Sequence, residues 1–336
     1  MLFSGKYGPL LIAEIGGNHE GDFDKALEQT RLAIQSGADV IKFQLYTGDT
    51  LVSAVAGPDR NAHFKKFELT REQHITLAQM VQEAGVMYTA SVWDIAMMDW
   101  IDPYIPFYKI GSGDLTAYPV LKATAERGKP IILSTGLSSE QEVLEAVSYI
   151  QSIDERYCSP SNLALLQCTS MYPITPADAH LHVMAKLKAL TGLTVGYSNH
   201  VEGSLALEVA TAMGAEILEF HFTDSREGKQ FRDHKLSLTV LEVQQLIERI
   251  QAIRMLQGSS IKSALPIEIE NNHVETFRRA VYPLKDIPKG TVITANMLTT
   301  LRPNVGIDAR LFEQVCGKTS LVDLIKHQPL MWTYFD

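Results

Sequence analysis

No apolar stretch of this chain approaches the roughly 18–20 residues that a membrane-crossing helix needs, so no membrane span is predicted. Cysteine is scarce. Cys158, Cys168 and Cys316 are an odd number with no CxxC pair and no metal-ligand spacing. That excludes a disulfide-stapled secreted module and fits reduced thiols in a cytoplasmic protein. Cys168 stands in an apolar, strand-like run and reads as a small buried residue rather than a nucleophile. The opening MLFSGKYGPLL lacks a cationic start ahead of a long apolar region, so it does not read as a secretory leader. Runs of Lys and Arg are missing too. With a net charge of −9, the chain lacks the basic footprint of a nucleic-acid binder.

What the chain has is length and apolar content: 336 residues, 46% of them hydrophobic. This exceeds an ordinary single domain unless most of it is an α/β barrel with an appendage. Short apolar runs alternate with amphipathic stretches. The predicted strands are Leu10–Ile15, Val40–Leu45, Val86–Ala90, Phe107–Ile110, Pro130–Leu133 and Leu163–Gln167, then the two runs within Leu193–Asp224, LTVGYSNH and EILEFHFTD. Helices follow them, one carrying Met97, Met98 and Trp100 and another at Ala177–Leu190, with N-cap signals at Asp22 or Asp24 and at Thr70 backed by Gln73, and stops at Gly37, Gly85 and Gly258. Polar Thr47–Lys66 is long for a βα loop and is expected to fold over a site. Eight βα units predict a closed (β/α)₈ TIM barrel over residues 1–258. A doubly wound open sheet is the alternative, but no GxGxxG follows the first strand. Residues 259–276 read as a linker. Residues 277–336, with short β-rich runs and a Pro-Lys-Gly turn at 288–290, read as a second small domain.

A barrel gathers its chemistry at the C-terminal ends of its strands. Glu14, Lys42, Ser91, Lys109, Ser112, Ser134, Thr169, Tyr172, Ser198, His200 and His221 all fall there. His200 and His221 end successive strands, so they would share one mouth and could bind a divalent metal, leaving positions open for a substrate oxygen. A lone histidine at a strand end is equally at home as a hydrogen-bonded structural group. Lys42 and Gln44 share one strand face, and a mid-strand lysine is costly unless an anion pairs with it. Two lysines, three serines and Gly-flanked N–H groups suit a phosphate or carboxylate. The same lysines could instead form structural salt bridges with Glu14 or Glu219. Lys109 could also serve as a Schiff-base lysine, though the two histidines count against a metal-free aldolase. Glu14 could act as a base or hold a substrate hydroxyl. The residues point to a metal-assisted reaction joining an anionic, phosphorylated substrate to a carbonyl compound.

Ten segments carry a resemblance. AEIGGNHEGD at 13–22, IKFQ at 41–44, YKIGSGD at 108–114, PIILSTG at 130–136, LLQCTSMYP at 165–173, GYSNH at 196–200 and LEFHFTD at 218–224, with RDHKLSL at 232–238 and LRPNVGI at 301–307 followed by GK at 317–318, resemble the sialic acid synthase family. The match runs in order from about Leu10 to the end. The resemblance implies a (β/α)₈ barrel followed by an antifreeze-like SAF domain that caps the partner's site in a domain-swapped homodimer. It implies condensation of phosphoenolpyruvate with N-acetylmannosamine or a related amino-sugar aldehyde, giving a nonulosonic acid and phosphate. The implied metal is Mn²⁺ or Mg²⁺, on His200 and His221. Lys42, Ser91, Lys109, Ser112, Ser134 and Ser198 would hold phosphoenolpyruvate, with Gln44 and Ser170 in the same substrate-binding set. Glu14, Tyr172 and Asp233 would handle the sugar or water, with Lys109 among the catalytic groups, and Arg302 would reach the sugar from the other subunit. Departures from the family pattern stand at Asn199 (usually Asp), Phe220 (usually basic), Ser170 (usually Asn), Asp114 (usually Glu) and Asn304 (usually Gly). On that resemblance Asn199 removes a negative charge beside a metal ligand and Phe220 removes a phosphate contact, and the departures together suggest a divergent member of the spore-coat-polysaccharide type. Another metal-dependent aldolase on this barrel, or a non-catalytic sugar-binding paralogue, are the alternatives.

Overall fold

The computed structural model describes residues 2–336. The chain forms two compact units, Met1–Gly258 and Ser259–Asp336. In the first, nine strands run β1 (Ser4–Gly5), β2 (Gly8–Glu14), β3 (Val40–Leu45), β4 (Met87–Val92), β5 (Tyr108–Ile110), β6 (Ile131–Ser134), β7 (Leu163–Cys168), β8 (Thr194–Asn199) and β9 (Ile217–His221). Strands β2 to β9 are parallel, each paired to the next, and β9 pairs back onto β2. The sheet therefore closes into an eight-stranded barrel.

Alternation along each strand sorts the side chains into two apolar layers. Leu10, Ile12, Val40, Phe107, Ile132, Leu166 and Ile217 fill the barrel interior. Their neighbours Leu11, Ile41, Tyr108, Leu133, Leu165 and Leu218 face outward, into the core shared with the helices. Antiparallel β1 was not expected from the sequence. It brings Phe3 into the interior layer, 6.4 Å from the Phe107 ring.

The helices are α1 (Phe23–Gln35), α2 (Gly48–Leu51), α3 (Pro58–Lys66), α4 (Arg71–Glu83), α5 (Met98–Ile101), α6 (Tyr118–Ala125), α7 (Glu140–Ile153), α8 (His182–Thr191), α9 (Leu205–Ala212) and α10 (Val240–Gln257). Asp22 caps α1 by accepting from the N–H groups of Asp24 and Lys25, and Thr70 with Gln73 forms the capping box of α4. Three sequence readings need correction. The polar stretch 47–66 is not an open loop but carries α2 and α3. The helix read around Met97–Trp100 is one turn between 3₁₀ segments, ended where Pro103 cannot donate. α8 starts at His182, because Pro176–Asp178 first forms a separate 3₁₀ turn. No helix among the described residues is long and apolar enough to cross a membrane.

The second unit begins with two short helices, α11 (Pro266–Glu270) and α12 (His273–Thr276). Strands β10 (Ala280–Pro283) and β11 (Leu298–Leu301) then pair antiparallel, and α13 (Phe312–Val315) follows. Val281, Ile287, Ile293, Ile307, Leu324 and Leu330 form its own core.

Candidate active site

The residues that alternate inward at the C-terminal ends of the strands line one cavity of about 140 Å³. Of the residues singled out from the sequence, it collects Glu14, Lys42, Gln44, Ser91, Lys109, Ser112, Ser134, Tyr172, Ser198, His200, His221 and Asp233. Strand register makes Glu14 the neighbour of both Lys42 and His221, and Ser91 the neighbour of both Gln44 and Lys109.

Two buried ionic clusters follow from that register. Lys42 Nζ lies 2.6 Å from Glu14 Oε2 and donates to Ser91 Oγ at 3.3 Å. Gln44 Nε2 donates to the other Glu14 oxygen at 2.8 Å. Lys109 Nζ donates to Ser134 Oγ at 2.8 Å and to the Ile110 carbonyl at 3.3 Å. Glu219 stands between the lysines, 3.7 Å from Lys109 and 3.9 Å from Lys42, and accepts from Ser198 Oγ at 3.1 Å. Burial works against the Lys42 charge, but Glu14 and Glu219 outweigh it and hold its pKa above the usual lysine value. For Lys109 burial wins over Glu219, and its pKa is lowered. Burial would raise the pKa of Glu219, but the two lysines overcome it and keep the carboxylate ionised. Ser112 Oγ accepts from the Gly136 N–H at 3.0 Å, which fixes it at the rim.

The imidazoles lie side by side, ring centroids 5.4 Å apart, with Tyr172 4.0 Å from His200 and 5.7 Å from His221. His200 Nδ1 donates to the Thr169 carbonyl at 2.7 Å, leaving Nε2 with its lone pair. Burial, with His221 beside it, lowers the His200 pKa to about 3, so the ring is neutral at ordinary pH. His221 Nδ1 is buried and unpartnered; the nearest carboxylate oxygen, on Asp233, is 3.9 Å away. Two adjacent imidazoles, one with an orphaned nitrogen, fit a divalent cation as a two-residue protein ligand set. No group of three or more His, Cys, Asp or Glu residues suited to a metal occurs among the described residues.

Two proposed residues lie elsewhere. Ser170 lines a neighbouring cavity of about 600 Å³, between the segments that follow β6 and β7. Arg302 belongs to the second unit, its guanidinium 5.3 Å from the Phe277 ring centroid. One reading is overturned. A residue at 220 does not face the mouth, because Phe220 is 1% exposed and packs in the layer between barrel and helices. Asn199 is spent on the loop: it accepts from the Val201 N–H and donates to the Val201 and Gly203 carbonyls.

Sequence reasoning also missed lining residues. Glu219 was considered only as a salt-bridge partner, although it shares the inward face of β9 with His221. His63 and Phe64 on α3, Trp93, Phe231 and Arg232 were not singled out, and all line the cavity. The aromatic content of 63–67 was the available signal.

A closed parallel barrel whose mouth converges two lysines, a ring of serines and two imidazoles defines a (β/α)₈ enzyme built for an anionic substrate. The NeuB family model matches residues 30–262, and the SAF domain model matches residues 278–335. The chain is 33% identical to N-acetylneuraminate-9-phosphate synthase of Mus musculus, over 88% of this chain and 83% of that protein. It is 32% identical to N,N'-diacetyllegionaminic acid synthase of Campylobacter jejuni subsp. jejuni, over 92% and 95%. The crystal structure of N-acetylneuraminic acid synthetase from Leptospira borgpetersenii, in complex with citrate, superposes with a TM-score of 0.72 at 29% identity, covering 79% of this chain and 90% of that one. The chain belongs to the NeuB family and is a transferase of the class that forms a carbon–carbon bond from phosphoenolpyruvate.

Proposed function

We propose that the protein condenses phosphoenolpyruvate with an N-acetylated amino-sugar aldehyde, N-acetylmannosamine or a relative, to give a nonulosonic acid and phosphate. The observation that carries this reading is the pair of buried lysines, each hydrogen-bonded to a serine, beside two adjacent imidazoles. Lys42 with Ser91, and Lys109 with Ser134, Ser112 and Ser198, hold the phosphate and carboxylate of phosphoenolpyruvate. The enol C3 bonds to the aldehyde carbon, a water oxygen adds at C2, the C2–O bond to phosphorus breaks and inorganic phosphate leaves. Glu14, anchored by Gln44, accepts a proton from the sugar or the attacking water. Burial raises the Tyr172 pKa, so its phenol stays protonated and donates to a substrate oxygen. Asp233, held by Arg232 Nε at 3.0 Å, accepts from a sugar hydroxyl.

Three basic and three acidic side chains line the cavity, so alone they offer an anion no net charge: Lys42, Lys109 and Arg232 against Glu14, Glu219 and Asp233. His200 and His221 would hold Mn²⁺ or Mg²⁺, which supplies positive charge and polarises the aldehyde carbonyl. We assign catalysis to residues 1–258, a linker to 259–276 and the SAF domain to 277–336. In a domain-swapped homodimer Arg302 of the second unit would serve the partner's site. Three unpaired cysteines fit a reducing compartment, and we place the enzyme in the cytoplasm. The test is phosphate release from phosphoenolpyruvate with Mn²⁺ and a panel of N-acetyl hexosamines. Release that needs both sugar and metal is expected; no release with any sugar refutes the reading.

A further inference from the structure

The 3₁₀ segment Arg232–Leu236 brings Arg232 and Asp233 to the cavity. A 3₁₀ turn closes hydrogen bonds of poor geometry, so this one depends on side chains to keep its place. His234, the next residue, is 2% exposed and does not line the cavity. Both of its ring nitrogens are engaged: Nε2 donates to Glu20 Oε1 at 3.1 Å, and Nδ1 lies 2.7 Å from Thr223 Oγ1. One ring thus joins the segment to the loop after β2 and to the chain leaving β9. Ser237 adds a second tie. Its Oγ donates to the Asp233 carbonyl at 2.6 Å and accepts from Asn18 Nδ2 at 2.9 Å.

The anchoring loop is itself closely seated. A Cβ at Gly21 would collide with the Lys66 carbonyl, and one at Gly17 would come within 3.1 Å of the Phe231 ring. Glu20 lies between them in left-handed backbone, with φ 55°. Glycine takes that conformation freely, and it fills the other left-handed positions of this loop, Gly16 at φ 55° and Gly21 at φ 80°. A glutamate at 20 therefore bears backbone strain that glycine would avoid. What it contributes in return is the carboxylate that meets His234. Lys42 and Lys109 stand on β3 and β5 and take no part in these bonds.

We propose that Glu20 and His234 are positioning residues, whose hydrogen bond locks the Arg232–Leu236 segment to the loop after β2 and so holds Asp233 where it meets the sugar. This rests on the condensation reading and its assignment of Asp233 to a sugar hydroxyl. The test uses the full chain with Mn²⁺, phosphoenolpyruvate and the N-acetyl hexosamine of the panel that releases phosphate fastest. Glu20→Gly relaxes the backbone and removes the carboxylate. It should keep Tm within about 3 °C of the parent, raise KM for the sugar about tenfold or more, and leave KM for phosphoenolpyruvate within about twofold. Glu20→Gln keeps an acceptor for Nε2 and should stay within about threefold of the parent in sugar KM. His234→Asn, too short to reach both partners, should reproduce the split of Glu20→Gly. A sugar KM unchanged in Glu20→Gly, a rise shared equally by both substrates, or a glutamine no better than glycine at 20 overturns this inference alone. No phosphate release by the parent with any sugar overturns the condensation reading and the inference with it.

Discussion

Lys42 offers a direct test of whether the buried ions of the barrel are scaffold or machinery. Lys42→Met keeps the aliphatic stem and removes the charge. Glu14, 2% exposed, would retain only the Gln44 amide on Oε1 and nothing on the oxygen that now meets Nζ at 2.6 Å. Glu219 would lose a cation at 3.9 Å but keep Lys109 and Ser198. The main cost is therefore one stranded buried carboxylate, about 3–5 kcal/mol. Glu14→Gln in the same chain removes that charge, so the double variant should return to within about 1–2 kcal/mol of the parent. The coupling energy between the two sites should then be at least about 2 kcal/mol. Urea unfolding followed by tryptophan fluorescence measures it. A Trp332→Phe background leaves Trp93 and Trp100, both in the first unit, to report on the barrel alone. Coupling below about 0.5 kcal/mol would show that the pair is not an interacting unit. Phosphate release separates the two roles. The double variant should stay inactive although its stability recovers; if its activity also recovered, Lys42 would be scaffold only and the anion-site reading would fail.

Three further outcomes are expected. His221→Ala should lose Mn²⁺ affinity in titration calorimetry and lose turnover while its circular dichroism stays that of the parent, because the ring lies at the barrel mouth and its Nδ1 holds nothing in place; unfolding would return that histidine to a structural role. Arg302→Ala should be inactive alone and rescued in mixed dimers with a barrel-dead variant, and failure of rescue would exclude action across subunits. Burial, only partly opposed by Lys109, raises the Asp114 pKa to about 6. Its folded value lies above its unfolded one, so the penalty is absent below about pH 4 and complete above about pH 6. Asp114→Asn should therefore raise Tm near pH 7 and leave it unchanged near pH 4; an equal gain at both would refute the assignment.

The barrel was legible because its strands are short apolar runs between turns, and because parity along a strand decides which side chains face inward. That rule sets Lys42 and Gln44 on one face of β3, and it would have set Glu219 beside His221 had a glutamate in an apolar run been weighed as lining. The aromatic lining residues were hidden for a different reason. α3 is polar overall, and His63 and Phe64 acquire their meaning from Trp93 and Phe231, which no local pattern connects to them. β1 is two residues long, too short to carry a periodicity. α8 begins late because Thr175 and Asp178 cap a 3₁₀ turn of their own, a choice made by side-chain hydrogen bonds and not by apolar spacing.

Parity also recasts the two family departures that flank the histidines. Ser198 and His200 face the cavity from β8 and its end, so Asn199 faces away; on β9 the same holds for Phe220 between Glu219 and His221. A basic residue at 220 on this backbone would sit in the apolar layer outside the barrel and could not touch a phosphate in the mouth. An aspartate at 199 could accept from the Val201 N–H but could not donate to the Val201 and Gly203 carbonyls. Asn199 therefore trades a charge for two hydrogen bonds that fasten the loop leaving the first histidine. Both substitutions act on the frame behind the imidazoles and neither changes the cavity surface.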